Sequence, residues 1–267
     1  MINRDLIRRK IVQLTYAYYQ NGNRNMDNAE KELFFSLSKA YDLYNYQLQL
    51  IVEITKEARK RYDLEVSRVQ REGGDAPSQK FAFNRFAVQL EENKMLQEFA
   101  ETQKQSWANS VEFVRGLCNQ IEQSQAYAEY MADTDDSYEA DREIWRKIYR
   151  QLIQENEALD QLLEEQSLYW NDDKEVVDTF VLKTIKRFDP KNKAKQELLP
   201  EYKDLEDKDF AVVYNGSVGG TYDVMQKHTE QEVRDHIRRY GIGRASEDVK
   251  EVAKDMAAEE FDALSRQ

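Results

Sequence analysis

Arg4, Arg8, Arg9, Lys10 and Gln13 are the residues whose types and spacing could do chemistry beyond folding. Guanidinium and ammonium groups bind phosphate oxygens, and a glutamine amide can pair with a base edge or a ribose. One acid, Asp5, interrupts the run, so the first twenty residues are net positive in a protein of net charge −12. Exposed charges more than about 10 Å apart are largely screened from one another, so a basic footprint survives in an acidic chain. A short basic run is equally what a solvated helix end looks like.

No catalytic set competes with these residues. His228 and His236 are eight apart, too far along a helix to share a metal, which needs a pair at i, i+4. Carboxylates are abundant, but the Glu-x-x-His of carboxylate di-metal helices is absent. Glu164-Glu165 and Asp172-Asp173 read as solvated helix and cap residues. The loop Gly216–Gly220 lacks the Gly-Lys-Ser/Thr that cradles phosphates. The expectation is a non-enzyme with no cofactor and no metal. The single cysteine, Cys118, cannot form an internal disulfide; it fits a buried thiol in a reducing compartment. No secretory leader and no run of about 18 apolar residues occurs, so a soluble, cytoplasmic protein is expected.

The elements that must position the basic residues are helical. Only three prolines and nine glycines punctuate 267 residues, and 16 Tyr and 11 Phe argue against disorder despite 34% charged residues. Ile7, Ile11, Leu14 and Tyr18 recur on one side of a first helix ending near Asn21-Gly22. Arg4 and Arg8 border that stripe; Arg9 and Gln13 point elsewhere. Asp27 or Asn28 caps a second helix, with Leu33, Leu37, Tyr41, Tyr44, Leu48 and Ile51 inward, running to about Tyr62. Residues 70–80 form a linker, followed by Phe81, Phe83 and Phe86 and a polar helix near 88–104. Trp107, Val111, Val114, Leu117 and Ile121 mark a further helix. After an acidic turn at 133–137, one helix is expected over 138–167, with Ile144, Trp145, Ile148, Leu152, Leu159 and Leu163 inward. Another, capped at Asp172-Asp173, is expected over 174–188. Sixteen acids and five bases between Glu129 and Asp178 carry most of the negative charge. Thin polar helices are expected near 204–214, 222–240 and 246–265.

The first helix resembles the opening helix of the NusB family of transcription antitermination factors, which follows approximately Arg-Arg-x-x-Arg-x-x-x-Val-Gln-x-Leu-Tyr. Arg4 and Arg8 fall on arginine positions, and Val12-Gln13 and Tyr16 match its end. Asp5 replaces the second arginine, with Arg9 and Lys10 as compensating cations. The stretch from Ile2 to Gly22 is similar to the variant found in Bacteroidetes-type bacteria. So, in order and spacing, are Ala40-Tyr41-Asp42-Leu43-Tyr44, Tyr138-Glu139-Ala140-Asp141-Arg142-Glu143, Tyr169-Trp170-Asn171-Asp172-Asp173 and Asp178 to Phe188. The likeness covers about residues 2–211. Beyond Phe210-Ala211 the family's two further apolar helices, Asn-Glu-Tyr-type motif and small-residue closing helix are not present. That departure implies an incomplete C-terminal subdomain, with apolar surface left exposed on the 174–188 helix.

The resemblance implies an all-α, NusB-type bundle with an enlarged central helical insertion and an atypical C-terminal subdomain. The expected divisions are 1–69, 70–170 and 171–267. It implies an RNA-binding antitermination factor acting on ribosomal RNA operons. Such a factor binds boxA-type single-stranded RNA together with NusE, a small-subunit ribosomal protein, within the RNA polymerase antitermination complex, without a membrane. The RNA-facing residues would be Arg4, Arg8, Arg9, Lys10 and Gln13. Some ribosomal RNA cytosine methyltransferases begin with a NusB-like domain, but no Rossmann-type segment follows here. The composition also suits an acidic helical scaffold that binds only proteins.

Overall fold

The computed structural model describes residues 1–20, 26–103, 105–191 and 197–202. These residues are all helical apart from loops and one isolated parallel bridge, Ile2 with Tyr202. The helices are α1 (Arg4–Gln20), α2 (Met26–Glu72), α3 (Arg85–Glu91), α4 (Lys94–Thr102), α5 (Val111–Gln123), α6 (Gln125–Ala132), α7 (Tyr138–Ile148), α8 (Glu157–Gln166) and α9 (Trp170–Arg187). A 3-10 turn covers Trp107–Asn109, and a π-turn covers Tyr149–Ile153. The helices expected after residue 203 lie outside the described residues.

The chain forms two compact units: Met1–Ser38 with the chain from Pro200, and Lys39–Leu199. The first boundary falls inside α2, which is continuous, so no glycine or proline marks it. The linker expected at 70–80 instead joins two helices within the second unit. There α2 ends at Gly73 and Gly74, whose φ values of 79° and 132° suit glycine alone.

In the first unit, Leu6, Ile7 and Ile11 of α1 are buried, as are Ala29, Leu33 and Leu37 at the start of α2. The second unit is built on α2. Residues 43–52 are buried on every side, which makes this stretch a core helix rather than an amphipathic one. Within it, Asn45 Nδ2 donates to the Tyr41 carbonyl at 3.0 Å. The indoles of Trp107 and Trp170 donate to the carbonyls of Tyr46 and Lys39, each at 2.9 Å. Both rings also pack on Tyr46, at 4.2 and 5.0 Å between centroids. Tyr44 ties the unit's far end, accepting from Leu199 N at 3.1 Å and bonding Thr184 Oγ1 at 2.6 Å.

Several expected helices are divided. The 88–104 helix is α3 and α4, because Asn93 turns the chain and its side chain caps Leu96 N at 3.2 Å. The 138–167 helix is α7, the π-turn and α8; Asn156 caps α8 by accepting from Leu159 N at 3.0 Å. Asp172 and Asp173 do not cap: α9 starts at Trp170 and places both in its first turn. Val111 is 41% exposed rather than inward, since it begins α5. The apolar surface expected to be bare on α9 is covered: Val177, Val181, Ile185 and Phe188 are all 0% exposed.

Candidate nucleic-acid interface

The start of α1 is fixed by Asn3. Its Oδ1 accepts from Leu6 N at 3.0 Å, and its carbonyl from Ile7 N at 3.0 Å. A helix leaves its first N–H groups without intrahelical partners, and such a cap satisfies one of them. Arg4 is therefore the first helical residue. Leu6, Ile7, Lys10 and Ile11 form the buried side. Arg4, Arg9 and Gln13 are exposed, and Arg8 and Val12 are half-buried. Helical spacing sets Arg4–Arg8 and Arg9–Gln13 as two rows, with Val12 between them.

Four of the five expected residues thus reach the non-buried side of α1. Lys10 does not. Its side chain is 3% exposed, between the turns that bury Ile7 and Leu6, so its ammonium is withdrawn from a surface ligand. The sequence pattern that placed Ile7 and Ile11 inward also placed Lys10 beside them. The inward side is wider than the stripe read from Ile7, Ile11, Leu14 and Tyr18 alone.

Several cations of the second unit are engaged with its own acceptors. Arg59 pairs with Glu91 at 2.6 Å, Arg61 with Glu122 at 2.8 Å, and Arg85 with Asp141 at 2.6 Å. Three carboxylates in that unit, Asp141, Asp173 and Asp178, are almost wholly buried, and the roles of Asp141 and Asp178 were not read from the sequence. Asp141 accepts from Tyr130 OH at 2.6 Å and from both Arg85 N and Nε. Asp178 accepts from Tyr149 OH at 2.7 Å, Gln47 Nε2 at 2.9 Å and Lys174 Nζ at 3.0 Å. Lys174 Nζ also reaches the Gln154 carbonyl and lies 3.4 Å from Asp160. Burial pushes the Asp178 carboxyl above its ordinary range, opposed by the Tyr149 and Lys174 hydrogen bonds. The available signal was an acid flanked by Val177 and Val181 on an apolar stripe, four residues from a lysine.

These groups are braces rather than reactive chemistry. Every donor around Asp178 belongs to the fold, and Tyr149 is the first residue of the π-turn. Among the described residues, no three His, Cys, Asp or Glu are grouped to hold a metal ion. A cleft of about 330 Å³ between α2, α4 and the Trp107 turn is rimmed by Glu53 and Glu91. Both are already paired, with Lys56 and Arg59. Cys118 is buried, and its thiol is pushed up to about 12, chiefly by desolvation, which leaves almost none of the reactive thiolate. Among the described residues, no helix is long and apolar enough to cross a membrane. No protein family, curated protein or solved structure matches the chain.

Proposed function

We propose that this chain is an RNA-binding transcription antitermination factor of the NusB type, and that α1 is its RNA-binding element. The observation that carries the reading is the charge placement on α1. Arg4, Arg8, Arg9 and Lys10 fall within its first seven residues, and its last turn has no base. A helix gains from acids at its start and bases at its end. This distribution does the opposite at the start, and three of the four cations sit off the buried side. A polyanion gains from this same grouping of cations.

From Arg4 to Gln13 α1 rises about 14 Å, the length of about four stacked nucleotides. Arg4, Arg8 and Arg9 hold phosphates, and Gln13 reads a base edge or ribose. The RNA is a single-stranded boxA-type element of ribosomal RNA transcripts, and NusE is the protein that binds with it in the RNA polymerase antitermination complex. The site of action is the cytoplasm.

The test is fluorescence anisotropy with a boxA-type single strand at several salt concentrations. Arg4→Ala with Arg8→Ala should weaken binding and lower the log–log salt slope by roughly 0.7 per lost phosphate contact. Unchanged affinity and slope would sink the assignment. They would favour the acidic scaffold, which the excess of acids over residues 129–178 otherwise suits.

A further inference from the structure

The residues just before α1 are held by a segment from the other end of the described chain. Ile2 is fully buried. Its N–H donates to the Glu201 carbonyl at 2.6 Å, and Ile2 forms a parallel bridge with Tyr202. The Met1 nitrogen reaches the Pro200 carbonyl, 199 residues away in sequence. Asn3 comes next and caps the helix, and Arg4 follows at its first position. Both contacts belong to the same compact unit.

A helix start frays unless its entry and its orphan N–H groups are fixed. Here entry is fixed by backbone bonds to Pro200–Tyr202, and the cap residue lies between that clamp and Arg4. We propose that Pro200–Tyr202 is a positioning element of the RNA site: by clamping Ile2 it fixes the Asn3 cap and so the place from which Arg4 reaches a phosphate. The inference rests on the reading of α1 as the RNA-binding element. It makes a stretch with no cation of its own necessary for full affinity.

Ile2→Pro in the full chain deletes the donor to Glu201 without touching a charge. The expected result is a roughly tenfold loss of affinity for the single strand, the value of one charge-assisted hydrogen bond. The salt slope should fall by about 0.7. Helical content by circular dichroism should stay near that of the parent. Adding Arg4→Ala should then cost less than about twofold more, because that contact is already gone. Arg9→Ala should keep its full effect in the same background. If Ile2→Pro and Arg4→Ala multiply, or if Ile2→Pro leaves affinity unchanged, the clamp does not position Arg4. If Arg4→Ala and Arg9→Ala are both silent in the parent chain, the RNA reading itself is wrong.

A second variant covers the case in which Ile2→Pro does not fold. Neighbouring bridged chains lie about 4.8 Å apart, within disulfide range, so Ile2→Cys with Tyr202→Cys can be oxidised to lock the clamp. The locked protein should bind within about twofold of the parent and still lose affinity on Arg4→Ala. Loss of RNA binding on locking would overturn the proposal.

Discussion

In the Lys39–Leu199 unit, acids open four helices: Glu112 in α5, Glu139 and Asp141 in α7, Glu157 and Asp160 in α8, Asp172 and Asp173 in α9, while α3 and α4 begin on Arg85 and Lys94 with no acid in the first turn. Bases close two of them, Arg146 and Lys147 in α7, Lys186 and Arg187 in α9. In α1 the bases come first and the last turn has none. Aligned peptide dipoles make the first arrangement favourable by about 0.3–1 kcal/mol per charge and the second unfavourable by a similar amount. Four helices of the large unit therefore carry charges that favour the helix, whereas α1 gathers four cations into its first seven residues.

The contrast breaks most visibly at Asp178. Asp178→Ala leaves Lys174 buried without its closest carboxylate and removes the acceptor of Tyr149 and Gln47. Breaking a buried pair in this way costs about 3–5 kcal/mol, to be read from urea denaturation. Arg9→Ala, at an exposed position of α1, should stay within about 0.5 kcal/mol of the parent. Comparable losses at the two places would show that α1's cations are structural as well, and the difference between the units would vanish.

Tyr149→Phe is a smaller cut into the same brace. It removes the hydroxyl donating to Asp178 and should cost about 1.5–3 kcal/mol, the range for a hydrogen bond to a charged group. Its effect should be much reduced in the Asp178→Ala background, since the two share one interaction. Full additivity would mean that this hydroxyl and Asp178 act independently.

The brace also explains what the sequence revealed and what it hid. Periodicity was enough for the Val177, Val181, Thr184 and Phe188 side of α9, because burial there follows the 3.6-residue repeat. It failed where one polar residue decides. Asn93 and Asn156 end a helix and cap the next, yet each sits in a stretch whose apolar spacing continues past it. At the π-turn the inward position passes from Leu152, which is half-buried, to Ile153, which is buried, a change that a count on an unbroken 3.6-residue repeat does not find. At the candidate site the cations were legible from residue type. The withdrawal of Lys10 was not, because it depends on how wide the buried side of α1 is.

Acidity offers a finer probe of the second unit. The native Asp178 carboxyl titrates above its ordinary 3.8 because burial disfavours its charge, so the folded protein holds this proton more tightly than the unfolded chain. Its contribution to stability is fully present below 3.8 and is lost as pH rises through the raised native value. The destabilisation caused by Asp178→Asn should therefore shrink as pH rises from about 4, measured by urea midpoints at a series of pH values. A gap that widens with pH would mean that Lys174 and Tyr149 outweigh burial.

The smallest effect separates the two units most sharply, because stability and binding are expected to move in opposite directions. Arg4→Glu places an acid at the first position of α1. Helix stability should rise by about 0.3–1 kcal/mol, seen as a slightly higher urea midpoint. RNA affinity should fall by more than it does for Arg4→Ala, because repulsion of a phosphate is added to the lost attraction. The same exchange at Arg146, in the last turn of α7, should instead lower stability and leave RNA affinity alone. If Arg4→Glu destabilises the protein, the helix dipole does not govern this position, and the charge placement on α1 no longer argues for a bound anion.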